Sequence, residues 1–457
     1  MAASLAAPLD KKSWLDKVLS LAADVQPGEA ITALLLAVDG FLLLAAYYTI
    51  RPVREALLLP ASLTLPGGAL IRGPEIKAYT GAIFAGLFIF IVPAYSAFAG
   101  RVNRIRLMNW VTLFFASNLV IFFLLGQAGV QLGIPFFVWI GIFNLMVMAQ
   151  FWSFANDVYT PEQGKRLFAI VGFGGSVGAI AGSTLVGAII KPLGEYVPML
   201  VAGAILAACL VLTNIIHARE KGRAGQAAAA HKQAEQPLSG EGGFRLVLSD
   251  RYLLLIALVT LMAQFVNTNG NYILGRAVAE AARQGAGGGL SQGQIVGSIY
   301  ANVDLWQNLL AVFIQFFLVS RIFKHLGVGR ALFILPVIAL FGYGMLVALP
   351  VLSLIRLAKI LENATDYSLQ NTARRALFLP TSREAKYKAL QAVETFFWRG
   401  GDMLSAVATF VVAGWLGLGV REFAAVNLAL GLVWIVFAAG AARQNSKLMA
   451  HRPAEAA

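Results

Sequence analysis

Apolar runs of about 20 residues, each long enough to cross a hydrocarbon layer, recur along the chain between short polar or basic stretches. The pattern predicts twelve helices, near 29–57, 78–99, 107–126, 134–157, 166–190, 197–216, 251–274, 294–320, 330–349, 352–378, 391–415 and 421–441. The first and the tenth run on into charged sequence. Ahead of them, Trp14, Leu15, Val18, Leu19 and Ala22 fall at helical spacing, so 13–23 reads as a short amphipathic helix on the membrane surface. The N-terminus lacks the charged-then-apolar order of a signal peptide. Residues 217–250 are polar and rich in Ala, Gln and Gly, and read as a flexible linker. The expected organisation is an amphipathic segment 1–28, a six-helix bundle 29–216, the linker 217–250, a second six-helix bundle 251–441 and a tail 442–457.

Composition removes the soluble alternatives. Of 457 residues 58% are hydrophobic and 13% charged, about half the usual charged share. The single Cys209 forbids an intrachain disulfide. The four His (217, 231, 325 and 451) sit in polar stretches, which speaks against a zinc site or an intramembrane His relay. The net charge of +13 would suit nucleic acid, but the cations encode orientation instead. With the N-terminus in the cytoplasm, inner segments hold 25 Lys and Arg and outer segments 10, while Arg399 lies in a span. The expectation is a multi-pass protein of the inner (plasma) membrane with both termini cytoplasmic, surrounded by lipid, monomeric, and with no nucleic-acid partner. Two basic connections, GRVNRIRL and SRIFKHLGVGR, fall at matching places in the two halves. They fit the duplicated plan of major-facilitator transporters, so the fold class is all-α integral membrane, twelve helices in two pseudo-symmetric bundles.

Charged residues inside apolar helices are costly and face a bundle interior or a wet cavity. On the tenth helix Lys359, Glu362, Asn363, Asp366, Gln370 and Arg374 fall within a stripe about 120° wide at roughly 100° per residue. An ion-pair ladder Lys359–Glu362–Asp366 that merely holds helices together is the plain alternative. Gln150, Ser153 and Asp157 share a face of the fourth helix, and Gln264, Asn267 and Asn271 of the seventh. Asp304, Gln307, Asn308 and Gln315 share one of the eighth. The first helix ends in YYTIRPVREALLL, where Tyr47, Arg51 and Arg54 project to one side and Pro52 should bend the chain. Arg suits phosphate or carboxylate, although Tyr and Arg also anchor spans at headgroup level. Asp39 lies mid-span in LLLAVDGFLLL. Gly174, Gly178 and Gly182 make two GxxxG steps on the fifth helix, the mark of close helix packing. The G-x-x-x-x-G-K-[ST] loop of nucleotide hydrolases is absent, since Gly164-Lys165-Arg166 lacks the earlier Gly.

Three of these segments carry a likeness. YTIRPVREALLL resembles the first-helix end Y-x-x-L-R-D-x-K-D-x-L of the ATP/ADP translocases of plastids and obligate intracellular bacteria. FWSFANDVYTPEQGKRLFAIVGFGGSVGAIAGS is similar to their F-W-x-F-A-N-E element, acidic turn, K-R and Gly-rich helix. DYSLQNTARRALFLPTSREAKYKALQAV is similar to their K-Y-S-L-F-D-P-T-K-E stretch with its later K-x-K. The resemblance implies nucleotide transport with roles for Arg54, Asp157 and Lys388. It pairs Arg51 and Glu55 with neighbouring family positions and Asp304 with the family's eighth-helix acid. One acid of the third segment is an amide here and another a cation, around Asn371 to Arg375, which implies a distant member with an altered substrate.

The expected protein is therefore no enzyme and needs no cofactor or metal. It moves a nucleotide or other anionic solute by alternating access. Arg51, Arg54, Asp157, Lys359, Asp366, Gln370, Arg374, Arg375 and Lys388 are the candidate substrate ligands, and Asp39, Asp304 and Glu362 the candidate coupling groups. A proton-coupled transporter of another solute, or a membrane receptor or scaffold that transports nothing, are the alternatives. A scaffold predicts that the polar stripes point apart.

Overall fold

A computed structural model describes residues 13–20, 24–64, 68, 70–99, 104–220, 243–285, 289–382 and 385–450. Most of the 217–250 linker, part of the basic 101–106 connection, the first twelve residues and the last seven lie outside them.

The amphipathic start forms α1 (Trp14–Leu19). Trp14 is exposed, while Asp16 is buried and accepts from the backbone N–H of Gly28 and Ala30 at 3.3 and 3.2 Å. A carboxylate at these N–H groups offsets donors that the entering helix cannot satisfy itself. The first span, α2 (Ala30–Leu58), is one continuous helix that includes Pro52, which supplies no N–H to its hydrogen bonding. A two-stranded hairpin, β1 (Ser62–Thr64) and β2 (Leu70–Arg72), follows. Pro74 then helps begin α3 (Gly73–Ala99), in keeping with proline's fit to a first helical turn. The remaining spans of this half are α4 (Arg104–Gln127), α5 (Gly133–Val158), α6 (Pro161–Leu193) and α7 (Val197–Glu220). α6 opens with a capping box between Thr160 and Gln163.

The second half begins with a short helix that the linker reading missed, α8 (Gly243–Ser249). Its spans are α9 (Arg251–Gly285), α10 (Gln292–Ala331) and α11 (Ile334–Ala348). They continue with α12 (352–376), α13 (385–415) and α14 (Val420–Ala450). The eighth span does not stop near 320. It continues through the basic connection and breaks at Gly327, whose φ of 76° suits glycine. Wide π turns interrupt α10, α12 and α13, including Ile314–Leu318 and Asp366–Gln370.

Eight described helices are long and apolar enough to cross a membrane. Each half has its own apolar core, one around Leu36, Phe115, Phe143 and Met199, the other around Ile256, Val266, Tyr343 and Trp434. Large apolar side chains such as Trp110, Phe341, Trp415 and Val436 are exposed, as a lipid-facing surface requires. The chain is an all-α, multi-pass membrane protein. The fifth and first spans pack closely because a Cβ on Gly174, Gly178 or Gly182 would strike the carbonyls of Ala37, Phe41 or Ala45.

The halves meet at their ends remote from the linker, called outer below. Ser291 Oγ donates to Glu195 Oε2 at 3.0 Å, Gln294 Nε2 to Lys191 O at 2.8 Å, and Tyr272 OH to Glu75 Oε1 at 2.8 Å. Deeper, Asn308 Nδ2 lies 3.3 Å from Ser183 Oγ.

Candidate functional site

Beneath these outer contacts lies a cavity of about 950 Å³ between the halves. Its outer end is built from α2, α3 and α10. Arg51 and Arg54 stand one turn apart on α2, so both reach the cavity together with Tyr47 and Tyr48. Arg51 Nη1 lies 3.3 Å from Asp304 Oδ1 on α10, an ion pair across the two halves. Arg54 Nη2 lies 2.6 Å from Glu55 Oε1, and Lys77 Nζ 2.7 Å from Glu55 Oε2. Glu55 is thus a buried acid between two cations, the arrangement that makes a buried carboxylate tolerable. Asp304 Oδ2 and Tyr300 OH are buried with no hydrogen-bond partner among the described residues. Aromatic faces cover the cations: Tyr48 lies 5.3 Å from Arg51, Phe137 5.2 Å from Arg54 and Tyr300 5.5 Å from Lys77.

Further in, polar side chains of the second half line the cavity opposite Asn144 and Ser176 of the first. Gln264 and Thr268 donate to Asp402 Oδ1 at 2.7 and 2.8 Å, and Arg399 approaches Oδ2 at 3.3 Å. Asn267, Asn271, Gln307, Asn363, Asp366 and Tyr367 also line it. Arg375, Thr372 and Gln315 line the end nearer the linker.

The predicted stripes therefore separate. Those of the seventh and eighth helices line the cavity. On the fourth helix Asn144 lines it, whereas Gln150 and Ser153 do not, and the side chain of Asp157 lies outside the described residues. The tenth-helix stripe divides. Lys359 and Glu362 are buried inside the second half. Lys359 Nζ sits 3.0 Å from Glu362 and 3.2 Å from Asn267 O, and Tyr343 OH donates to Glu362 at 2.7 Å. That is the structural arm of the expected ladder, without Asp366. Beyond it, the π turn Asp366–Gln370 inserts one residue into the helical count. The cavity face then falls on Tyr367, Asn371 and Arg375 instead of Gln370 and Arg374. Gln370 and Arg374 are buried behind it. Arg374 lies 4.5 Å from the Trp398 ring and donates to Asn371 at 3.2 Å. Lys388, in the first turn of α13, is half-buried and off the lining. Asp39 faces α7, where Cys209 Sγ donates at 3.0 Å and Thr213 Oγ1 at 3.2 Å. It lies away from the cavity.

Lys77, Tyr300, Trp398 and Asp402 were not foreseen as site residues. Lys77 was assigned to an outer loop because the second helix was expected to begin at 78. Gly73-Pro74 was the signal that could have moved that start.

Against models of known protein families the chain has no match. It is 22% identical over 350 residues to ADP,ATP carrier protein 1 of Chlamydia trachomatis, across 65% of this chain and 62% of that one. It is 20% identical over 337 residues to ADP,ATP carrier protein 1 of Chlamydia pneumoniae, across 65% and 64% respectively. The chain is a distant relative of the ADP,ATP carriers. The matched stretch spans less than two thirds of the length of these carriers.

Solved structures give the fold. A bacterial homologue of the human lysosomal transporter Spinster, in an inward-facing and unoccupied conformation, aligns with TM-score 0.55 at 14% identity. The alignment covers 94% of this chain and 99% of that one. The nucleoside transporter NupG aligns with TM-score 0.56 at 16% identity, covering 92% and 99%. The chain shares the two-bundle fold of these structures.

Proposed function

We propose that the chain is a secondary-active transporter that carries a nucleotide or similar phosphorylated anion by alternating access between its two halves. The observation that carries the reading is the shared outer end of the cavity. There Arg51 of the first half lies 3.3 Å from Asp304 of the second, with Arg54 beside it on the cavity wall. A solute bound at that point touches both halves, so its binding energy can draw them from one closure to the other. The likeness to ADP,ATP carriers supports a nucleotide cargo, and Tyr47, Tyr48, Tyr367 and Trp398 offer rings against which a base can stack. The solute passes through chemically unchanged.

The orientation proposed is that both termini and the linker face the cytoplasm at the inner membrane. The excess of Lys and Arg in the segments at the linker end supports this orientation. The cavity then opens inward, because the inter-half hydrogen bonds named above lie at the outer ends. Each chain holds a whole cavity, which supports a monomer as the working unit.

The test is uptake of a labelled panel of nucleotides and nucleosides into vesicles containing the purified chain. The reading requires saturable uptake of at least one phosphorylated member, lost in Arg51→Gln. Uptake confined to neutral nucleosides, undiminished in that variant, would overturn it.

A further inference from the structure

The charges around the outer end of the cavity limit how much negative charge its cargo can bring. Among the described residues three cations, Arg51, Arg54 and Lys77, stand there against two acids, Glu55 and Asp304. That leaves one net positive charge. Both acids are almost wholly buried, and Glu55 holds two of the cations at 2.6 and 2.7 Å. The other lining cations have acids of their own. Arg399 lies 3.3 Å from Asp402 and Arg375 3.4 Å from Glu394. Asp366 adds a further acid to the wall. A site meant for several phosphates would present cations in excess, because unpaired charge in a low-dielectric cavity is strongly unfavourable.

We infer that the cavity takes a solute with a single anionic head group, such as a nucleoside bearing one phosphate, and discriminates against di- and triphosphates. The inference rests on the nucleotide reading above. A phosphate monoester carries about −1.5 to −2 near pH 7, which by itself uses up the net positive charge of the site. The donors that Arg51 and Arg54 direct into the cavity match one such head, with Asp304 giving up Arg51 to it. Each further phosphate adds negative charge opposite Glu55 and Asp304, where no spare cation waits among the described residues. Asp304 acts here as a specificity-determining residue, since its charge sets the limit.

The experiment is binding of adenosine, AMP, ADP, ATP and inorganic phosphate to the purified full-length chain in lipid nanodiscs, without divalent cations. AMP is expected to bind about tenfold or more tightly than ATP, given the like charges the longer chain would face. Asp304→Asn is expected to narrow that gap by improving ATP. Should that variant fail to fold, Glu55→Gln removes the other acid and is expected to act in the same direction. ATP binding as tightly as AMP, or tighter, would overturn the inference while leaving nucleotide transport intact. Phosphate binding that is lost in Arg51→Gln, with no adenine compound bound, would overturn the nucleotide reading and leave the single-head limit standing. No binding of any of the five would overturn both.

Discussion

Arg51 Nη1 stands 3.3 Å from Asp304 Oδ1, and this ion pair ties the first span of one half to the eighth span of the other. Both partners line the cavity, so an entering anion competes directly with Asp304 for Arg51. Charge-assisted hydrogen bonds contribute roughly 1.5–3 kcal/mol each. Arg51→Gln should therefore weaken binding of a phosphorylated probe about 10- to 150-fold. Arg51→Lys should recover part of the loss, because the charge returns without the guanidinium fork. Equilibrium binding to the two variants checks the order.

Asp39 is expected to be a structural acid. Its partners are Cys209 and Thr213 on the sixth span, and it does not line the cavity. Asn can accept the same hydrogen bonds. Asp39→Asn should leave both the rate of uptake and its response to an imposed pH gradient within about twofold, as for a surplus interhelical contact. Loss of gradient dependence alone would make Asp39 a coupling group.

The crossing of the first and fifth spans is set by glycine. A Cβ on Gly178 would meet the carbonyl of Phe41, whereas one on Gly172 has open space around it. Gly178→Ala should lower stability by about 1–3 kcal/mol, the range for overpacking. Gly172→Ala should lower it little. Thermal unfolding in detergent compares the two, and equal losses would remove the close-approach argument.

At the linker end, Glu29 ties the start of the first span to the fifth. Burial raises its carboxyl pKa, but hydrogen bonds from Arg166, Gln26 N–H and Gln163 outweigh this and hold it below the usual carboxylate range. A depressed folded pKa means that the stabilisation is present above the unfolded value, and is lost as pH falls through the folded one. Glu29→Gln should thus destabilise the chain at neutral pH, and the difference from wild type should shrink on acidification. Melting temperatures between neutral pH and pH 4 measure the difference. A gap that widens with acid would reverse the assignment.

Much of this arrangement was legible in the chain. Apolar runs located the spans, since each needs about 20 such residues, and the spacing of Gly174, Gly178 and Gly182 forecast their packing. The seventh polar face, and the eighth as far as Asn308, line the cavity where the helices stay regular, and Gln315 still lines it although it falls in the π turn Ile314–Leu318. The tenth was misread in part because a 100° rule cannot anticipate the extra residue of a π turn. Asp366 lay on the predicted face, but beyond it the cavity received Arg375 in place of Arg374. Lys77 escaped because hydropathy marks where a span becomes apolar. The helix itself begins four residues before Lys77, at Gly73. Nor could a single sequence pair Arg51 with Asp304, which are brought together only by the docking of two bundles.

The most direct test of the account is exchange of a labelled nucleoside monophosphate across vesicles containing wild-type chain, Arg51→Gln or Arg54→Gln. The account predicts saturable exchange by wild type and its loss in both variants, with the variants still folded by thermal unfolding. Exchange that proceeds at the wild-type rate in either variant would contradict a shared anion site at the outer end of the cavity.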